Sequence, residues 1–133
     1  DIKLVVKPDA GIKDKESGKT ILLDFKTSKL HGGSKDKKKI DGYLIQMFLY
    51  SYIIWLEKNI AVDEIWIWFV RNNEMRKFEM NSDGTVKAIE WMEEIYKQIM
   101  SDAEWEANRT KSNKYFCEHI CSMRNICNAQ IKE

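Results

Sequence analysis

The sequence has 133 residues, 44% of them hydrophobic and 32% charged, with a formal net charge of +1. That size and composition suit one domain with a single packed core and exclude a disordered chain. No run approaches the roughly 18 apolar residues of a membrane span, and no charged-then-apolar leader opens the chain, so a soluble cytoplasmic protein is expected.

The chain begins on Asp1 without an initiator methionine and enters residues 2–6, where Ile2, Leu4 and Val6 alternate with Lys3 and Val5. This period of two predicts a strand, and an opening inside a strand points to a fragment whose N-terminal part is missing. Residues 8–18 are polar and rich in turn formers, and residues 20–25 form a second β-rich run. The two runs are expected to pair as antiparallel neighbours across a longish hairpin loop. Between Lys29 and Lys39 come five lysines (Lys29, Lys35, Lys37, Lys38, Lys39) and one acid, around Gly32, Gly33 and Ser34. Such a run reads as a solvated loop, and its place just after the strand gives it access to phosphates.

Residues 40–58 read as one helix whose apolar positions (Ile40, Tyr43, Leu44, Met47, Phe48, Ile54, Trp55) exceed a single stripe, so it should be buried on several sides. Asn59 is its stop signal. Residues 64–70 alternate aromatic and β-branched side chains as a strand, Asn72-Asn73 marks a tight turn, and residues 75–80 return as the partner. Ser82-Asp83-Gly84 introduces a second helix over residues 85–100, with Val86, Ile89, Met92, Ile95, Tyr96 and Ile99 at helical spacing. Trp55, Trp66, Trp68, Trp91 and Trp105 could form a platform for stacking single-strand bases, but they fall on elements that need core residues and most are read as packing. The order β-β-α-β-β-α with a tail predicts an α/β or α+β domain around a central sheet, the core over residues 1–108 and a cysteine-bearing tail over 109–133.

Asp24-Phe25-Lys26 ends the second strand, where periodicity points Asp24 and Lys26 to one face. A carboxylate can hold a hard divalent cation, and a neighbouring lysine can steady charge developing on a phosphate. The same tripeptide also suits a simple ion pair at a strand end. Gln46 and Tyr50, four apart, share one helix face with Tyr43 a turn earlier; a buried glutamine amide needs several partners, which argues against a plain core role.

The run D-F-K-T-S from Asp24, followed by Q-M-F-L-Y from Gln46 to Tyr50, resembles the PD-(D/E)XK nuclease superfamily, and within it the RecB-like branch with its AddB-type and CRISPR-adaptation nucleases. The resemblance implies a restriction-endonuclease-like core, a central mixed sheet flanked by helices. It implies a Mg²⁺- or Mn²⁺-dependent deoxyribonuclease, an exonuclease rather than an endonuclease, acting in DNA repair, phage DNA processing or CRISPR adaptation. Asp24 would be a metal-binding carboxylate, the Phe25 carbonyl a further ligand, Lys26 the catalytic lysine, and Gln46 and Tyr50 supports for the site and the DNA backbone. Asp1 would best match the first carboxylate, with Asp9 a weaker candidate in the loop beyond Pro8. Some members use an upstream histidine; His31, in the lysine-rich segment, is a poor substitute.

Cys117, Cys121 and Cys127 are spaced C-x3-C-x5-C near the end of the chain. An odd number of cysteines in an intracellular protein argues against a disulfide framework and for metal ligation. Zinc with His119 as fourth ligand is one reading, and unligated cysteines are another. The RecB-like resemblance implies instead a [4Fe-4S] cluster completed by an upstream cysteine absent from these residues, although the family's first gap is more often two residues than three. The implied partner is single-stranded or unwound DNA, held by Lys29, Lys35, Lys37, Lys38 and Lys39, with a helicase or other subunit of a DNA-processing complex as a further partner. A catalytically inactive DNA-binding or scaffold domain, and a site-specific restriction-type endonuclease, are the competing readings.

Overall fold

The computed structural model describes residues 4–101 and 114–121. In chain order they form β1 (Ala10–Lys13), β2 (Thr20–Lys26), α1 (Ser34–Lys58), β3 (Glu64–Phe69), β4 (Glu74–Glu79), α2 (Ser82–Met100) and a short π-helical turn, Phe116–Ile120. The chain divides into two units, Asp1–Lys97 and Gln98–Glu133. The first contains the whole sheet.

The sheet has the order β1-β2-β3-β4. β1 and β2 are antiparallel, β2 and β3 parallel, and β3 and β4 antiparallel. A parallel pair cannot be joined by a tight turn, and α1 supplies the crossover between β2 and β3. Leu22, Asp24 and Lys26 lie opposite Ile65, Ile67 and Phe69, so these six side chains share one face. Met47, Ile65, Ile67 and Phe69 are wholly buried, in a cluster that also holds Leu22, Phe48, Leu49, Ile53 and Ala88. The core therefore lies between this face and the two long helices.

Three expectations change. Among the described residues the first strand is β1, a short edge strand with little burial of its own, and residues 4–6 of the expected strand lie outside it, while residues 2 and 3 are outside the described residues. A tight turn over Asp14 and Gly18 sets its register: Gly18 N donates to Asp14 O at 2.9 Å, and Asp14 N to Lys19 O at 2.9 Å. Gly18 has φ 71°, a conformation glycine adopts without a Cβ penalty.

The lysine-rich segment is not all loop either, because α1 starts at Ser34 and takes in Lys35, Lys37, Lys38 and Lys39. Its N-cap, Gly33, offers no side-chain hydrogen bond. Instead the buried Asp36 carboxylate accepts from His31 N at 2.7 Å and from Gly32 N, folding the incoming loop onto the first turn. Asn72 clamps the same loop from the β3–β4 turn: its Oδ1 accepts from Leu30 N at 2.9 Å and its Nδ2 donates to Leu30 O at 3.1 Å. At the other end Asn59 stops α1 in the left-handed region, its N–H donating to Trp55 O at 2.9 Å.

The tryptophans are the third change. Trp55 and Trp91 are 49% and 47% exposed, and Trp66 and Trp68 are half-buried on the sheet face opposite Ile65, Ile67 and Phe69. Trp105 lies outside the described residues. No described helix is long and apolar enough to cross a membrane.

α2 begins after Asn81, whose Oδ1 accepts from Gly84 N at 2.8 Å. Gly84 sits against the Phe48 ring of α1; a Cβ there would stand 2.7 Å from Phe48 Cε1 and closer still to two other ring atoms. Both sides of that contact are packed. Gly84→Ala is therefore expected to destabilise the fold by about 1–3 kcal/mol, the usual range for overpacking. An unchanged denaturation midpoint would show that α2 can shift without cost.

Candidate active site

β2 carries its functional side chains because its last residues alternate across the sheet. Leu22 packs into the core, and Asp24 and Lys26 follow on the same face. Asp24 is 6% exposed. Its Oδ2 lies 2.6 Å from Lys26 Nζ, yet that buried oxygen has no well-directed hydrogen bond. Ion-pair distance without hydrogen-bond alignment leaves the oxygen incompletely satisfied.

Asp9 is the second carboxylate. Its Oδ2 accepts from Phe25 N at 2.8 Å, and its carboxyl acts on the ionisation of Asp24. The position follows from the hairpin register: Ala10 pairs with Leu23, so one step further places Asp9 across from Asp24. Asp24's carboxyl is held above the ordinary carboxylate range, chiefly because it is buried; the Lys26 ammonium pulls it back down, and the Asp9 carboxyl pushes it up. Two neighbouring carboxyls, one of them buried, leave an excess of negative charge that one lysine only partly offsets.

That donor set fits a hard divalent cation. Along an extended strand the N–H and C=O of one residue leave on the same edge. Phe25's N–H goes to Asp9, so its carbonyl leaves on the Asp9 edge, beyond the last β1 pair. Asp9, Asp24 and that carbonyl provide three oxygens, and Mg²⁺ commonly keeps waters in its remaining positions. Among the described residues no three His, Cys, Asp or Glu side chains gather as a metal site, so the fit rests on two carboxylates and backbone.

The helix contributes less directly than its motif suggests. Gln46 Nε2 donates to Tyr50 Oη at 2.9 Å, so this pair is tied to itself. The α1 residue that reaches Lys26 is Tyr43, whose ring centroid lies 4.3 Å from Lys26 Nζ. Tyr43 Oη is 3.2 Å from Ser28 Oγ, and its ring packs on Phe69 at 6.2 Å between centroids.

Other sequence candidates are placed as follows. Asp1 and Cys127 lie outside the described residues. His31 is exposed, and its recorded contact is through backbone N–H to Asp36. Lys29, Lys35, Lys37 and Lys38 are exposed, while Lys39 Nζ donates to Lys29 O at 3.1 Å. A groove of about 610 Å³ beside the start of α1, lined by Lys37, Ile40, Asn72 and Arg76 among others, includes neither Asp24 nor Lys26. In the C-terminal unit Cys117 lies within the π-helical turn and Cys121 just after it, with the His119 ring 4.7 Å from that of Tyr115.

Against known proteins, the family model described as PD-(D/E)XK nuclease superfamily matches residues 1–128. No curated protein matches the chain.

Proposed function

The chain belongs to the PD-(D/E)XK nuclease superfamily, and from that premise we propose that it is a Mg²⁺- or Mn²⁺-dependent deoxyribonuclease centred on Asp9, Asp24 and Lys26. The observation that carries this reading is the hairpin register that sets Asp9, bonded to Phe25 N, across from Asp24 with its Lys26 ion pair. The family name spells a Pro-Asp followed by an acid-x-Lys, and the chain contains Pro8-Asp9 and then Asp24-Phe25-Lys26. We therefore give Asp9 the place of the first carboxylate, ahead of Asp1.

In this reading Asp9, Asp24 and the Phe25 carbonyl hold the cation. When bound, it polarises the phosphoryl oxygen, lowers the pKa of the attacking water and steadies the leaving oxygen. Lys26 directs its ammonium at the phosphate and stabilises the charge that builds there in the transition state. Gln46 and Tyr50 brace the α1 face that borders the site. Lys29, Lys35, Lys37 and Lys38 grip the DNA backbone without reading bases, so affinity falls as salt rises.

The Gln46–Tyr50 pair supports placement in the RecB-like branch, and with it exonuclease action on single-stranded or unwound ends. Cys117, Cys121 and Cys127 are assigned to a [4Fe-4S] cluster on the same basis, as a staple for the tail. The pathway, among repair, phage DNA processing and CRISPR adaptation, follows the branch.

The exonuclease assignment is tested by offering linear and covalently closed circular single-stranded DNA of one sequence with Mn²⁺. Digestion of the linear form alone is expected. Equal cutting of the circle would make the enzyme an endonuclease, and retention of both DNAs uncut would favour a binding or scaffold role.

A further inference from the structure

Lys26 has two close partners, and only one of them can keep that role when the site is loaded. Its ammonium lies 2.6 Å from Asp24 Oδ2 and 4.3 Å from the Tyr43 ring centroid. If Asp24 turns its charge to a divalent cation, the ion pair with Lys26 weakens, because the same carboxylate cannot fully neutralise both. A lysine released in this way is a flexible four-carbon stem with rotamer freedom to regain. The tyrosine ring attracts the ammonium through its quadrupole, bears no formal charge and does not compete with the carboxylates for the metal.

The ring is also held still. Tyr43 Oη meets Ser28 Oγ at 3.2 Å, just beyond the end of β2, and its ring packs on the wholly buried Phe69 of β3. The tyrosine thus spans from α1 to both central strands and fixes a π-face beneath the ammonium. Gln46 and Tyr50, also on this helix, are joined to each other by one hydrogen bond from Gln46 Nε2 to Tyr50 Oη.

We propose that Tyr43 is the positioning residue for Lys26: its ring face holds the ammonium in place when Asp24 is engaged by the metal. This rests on the reading of Lys26 as the group that meets the phosphate. The hydroxyl is the minor part, a tether for the ring, so the conservative and the drastic substitutions should separate.

The test measures single-turnover DNA cleavage, substrate affinity and Mn²⁺ affinity in the full chain. Tyr43→Phe is expected to stay within about threefold of wild type, since the ring remains. Tyr43→Leu is expected to lower the cleavage rate about tenfold, between the scales of an exposed and a fully desolvated cation–π contact, with DNA and Mn²⁺ affinities unchanged. Phenylalanine bearing one, two or three ring fluorines at this position keeps the shape and drains the π-face, so the rate should fall stepwise with each fluorine. A purely structural tyrosine would give no such series. Independently of activity, the Lys26 ε-methylene resonance of the Mn²⁺-free, Mg²⁺-bound protein should show a ring-current shift in wild type and Tyr43→Phe that is absent in Tyr43→Leu. A rate indifferent to fluorination, or no ring-current shift with Mg²⁺ bound, overturns the proposal even if Tyr43→Leu fails to fold. Full activity in Lys26→Ala overturns instead the reading on which it rests, and so separates the two failures.

Discussion

Lys26→Ala is expected to lower single-turnover DNA cleavage by about 10²–10³-fold, or about 3–4 kcal/mol of transition-state stabilisation, with Mn²⁺ still bound. The geometry sets this expectation. Lys26 follows Asp24 on the same strand face, with its ammonium beside the carboxylate pair and its side chain only partly exposed. A charged donor fixed next to the cation is worth most where charge develops and little in ground-state binding, so the loss belongs in the rate and not in DNA affinity. Removing the lysine also takes from Asp24 its one ion-pair partner among the described residues. The metal-free variant should therefore melt lower than wild type at neutral pH and recover when Mn²⁺ is added, because an unpaired buried charge is costly. Calorimetry with and without Mn²⁺ separates that stability effect from the kinetic one. Wild-type rates in the variant would remove Lys26 from the chemistry.

The second large effect is expected at the carboxylates. Asp9→Asn and Asp24→Asn should each weaken Mn²⁺ binding by more than about 100-fold, beyond the ~10–100-fold typical of losing an outer-shell partner. The pH behaviour follows from the sign of one shift. Asp24's carboxyl is raised, first by burial and then by Asp9, with Lys26 opposing. The folded chain thus binds this proton more tightly than the unfolded chain does. Between the ordinary carboxylate pKa and the raised one, stability contributed by Asp24 falls as pH rises, and it is lost once pH passes the raised pKa. A metal needs the ionised form, so Mn²⁺ affinity should drop as pH falls through the same window, and binding there should release a proton. Metal-free Asp24→Asn should accordingly melt no lower than wild type above the raised pKa, while only wild type gains stability from Mn²⁺. Equal Mn²⁺ stabilisation of both proteins would place the metal elsewhere.

Much of this fold is legible in the sequence where a single physical signal governs. The alternation in β3, the paired asparagines of the β3–β4 turn and Asn59 at the end of α1 all act locally, and the structure places them close to where the pattern does. β1 escapes because Ala10, Gly11, Ile12 and Lys13 have no alternating pattern and are held by backbone pairing to β2. The first turns of α1 escape because a lysine run resembles a loop; their closure depends on Asp36 reaching back to His31 and Gly32. Periodicity shows that Trp66 and Trp68 share a face but not which face the helices cover, and Ile65, Ile67 and Phe69 take the inside.

The site divides along the same line. Strand periodicity puts Asp24 and Lys26 on one face and helical spacing does the same for Gln46 and Tyr50, while their reading as a site comes from the family resemblance. Asp9 is not, because its place depends on hairpin register. A turn spanning Asp14 and Gly18, five residues with Asp and Gly at its ends, was the available signal. Drawing the hairpin tightly around it pairs Ala10 with Leu23 and brings Asp9 opposite Asp24. Tyr43's contact with Lys26 joins helix to strand across the core edge, and spacing alone puts it only on the correct side of α1.

The most direct measurement is cleavage of end-labelled single-stranded DNA by wild type and Lys26→Ala, each in Mn²⁺, after EDTA, and after Mn²⁺ is restored. The expected result is a product ladder from wild type that disappears with EDTA and returns with metal, against intact DNA from a variant that still binds Mn²⁺. Cleavage that survives EDTA, or that Lys26→Ala reproduces at the wild-type rate, would contradict a metal-dependent centre built on Asp9, Asp24 and Lys26.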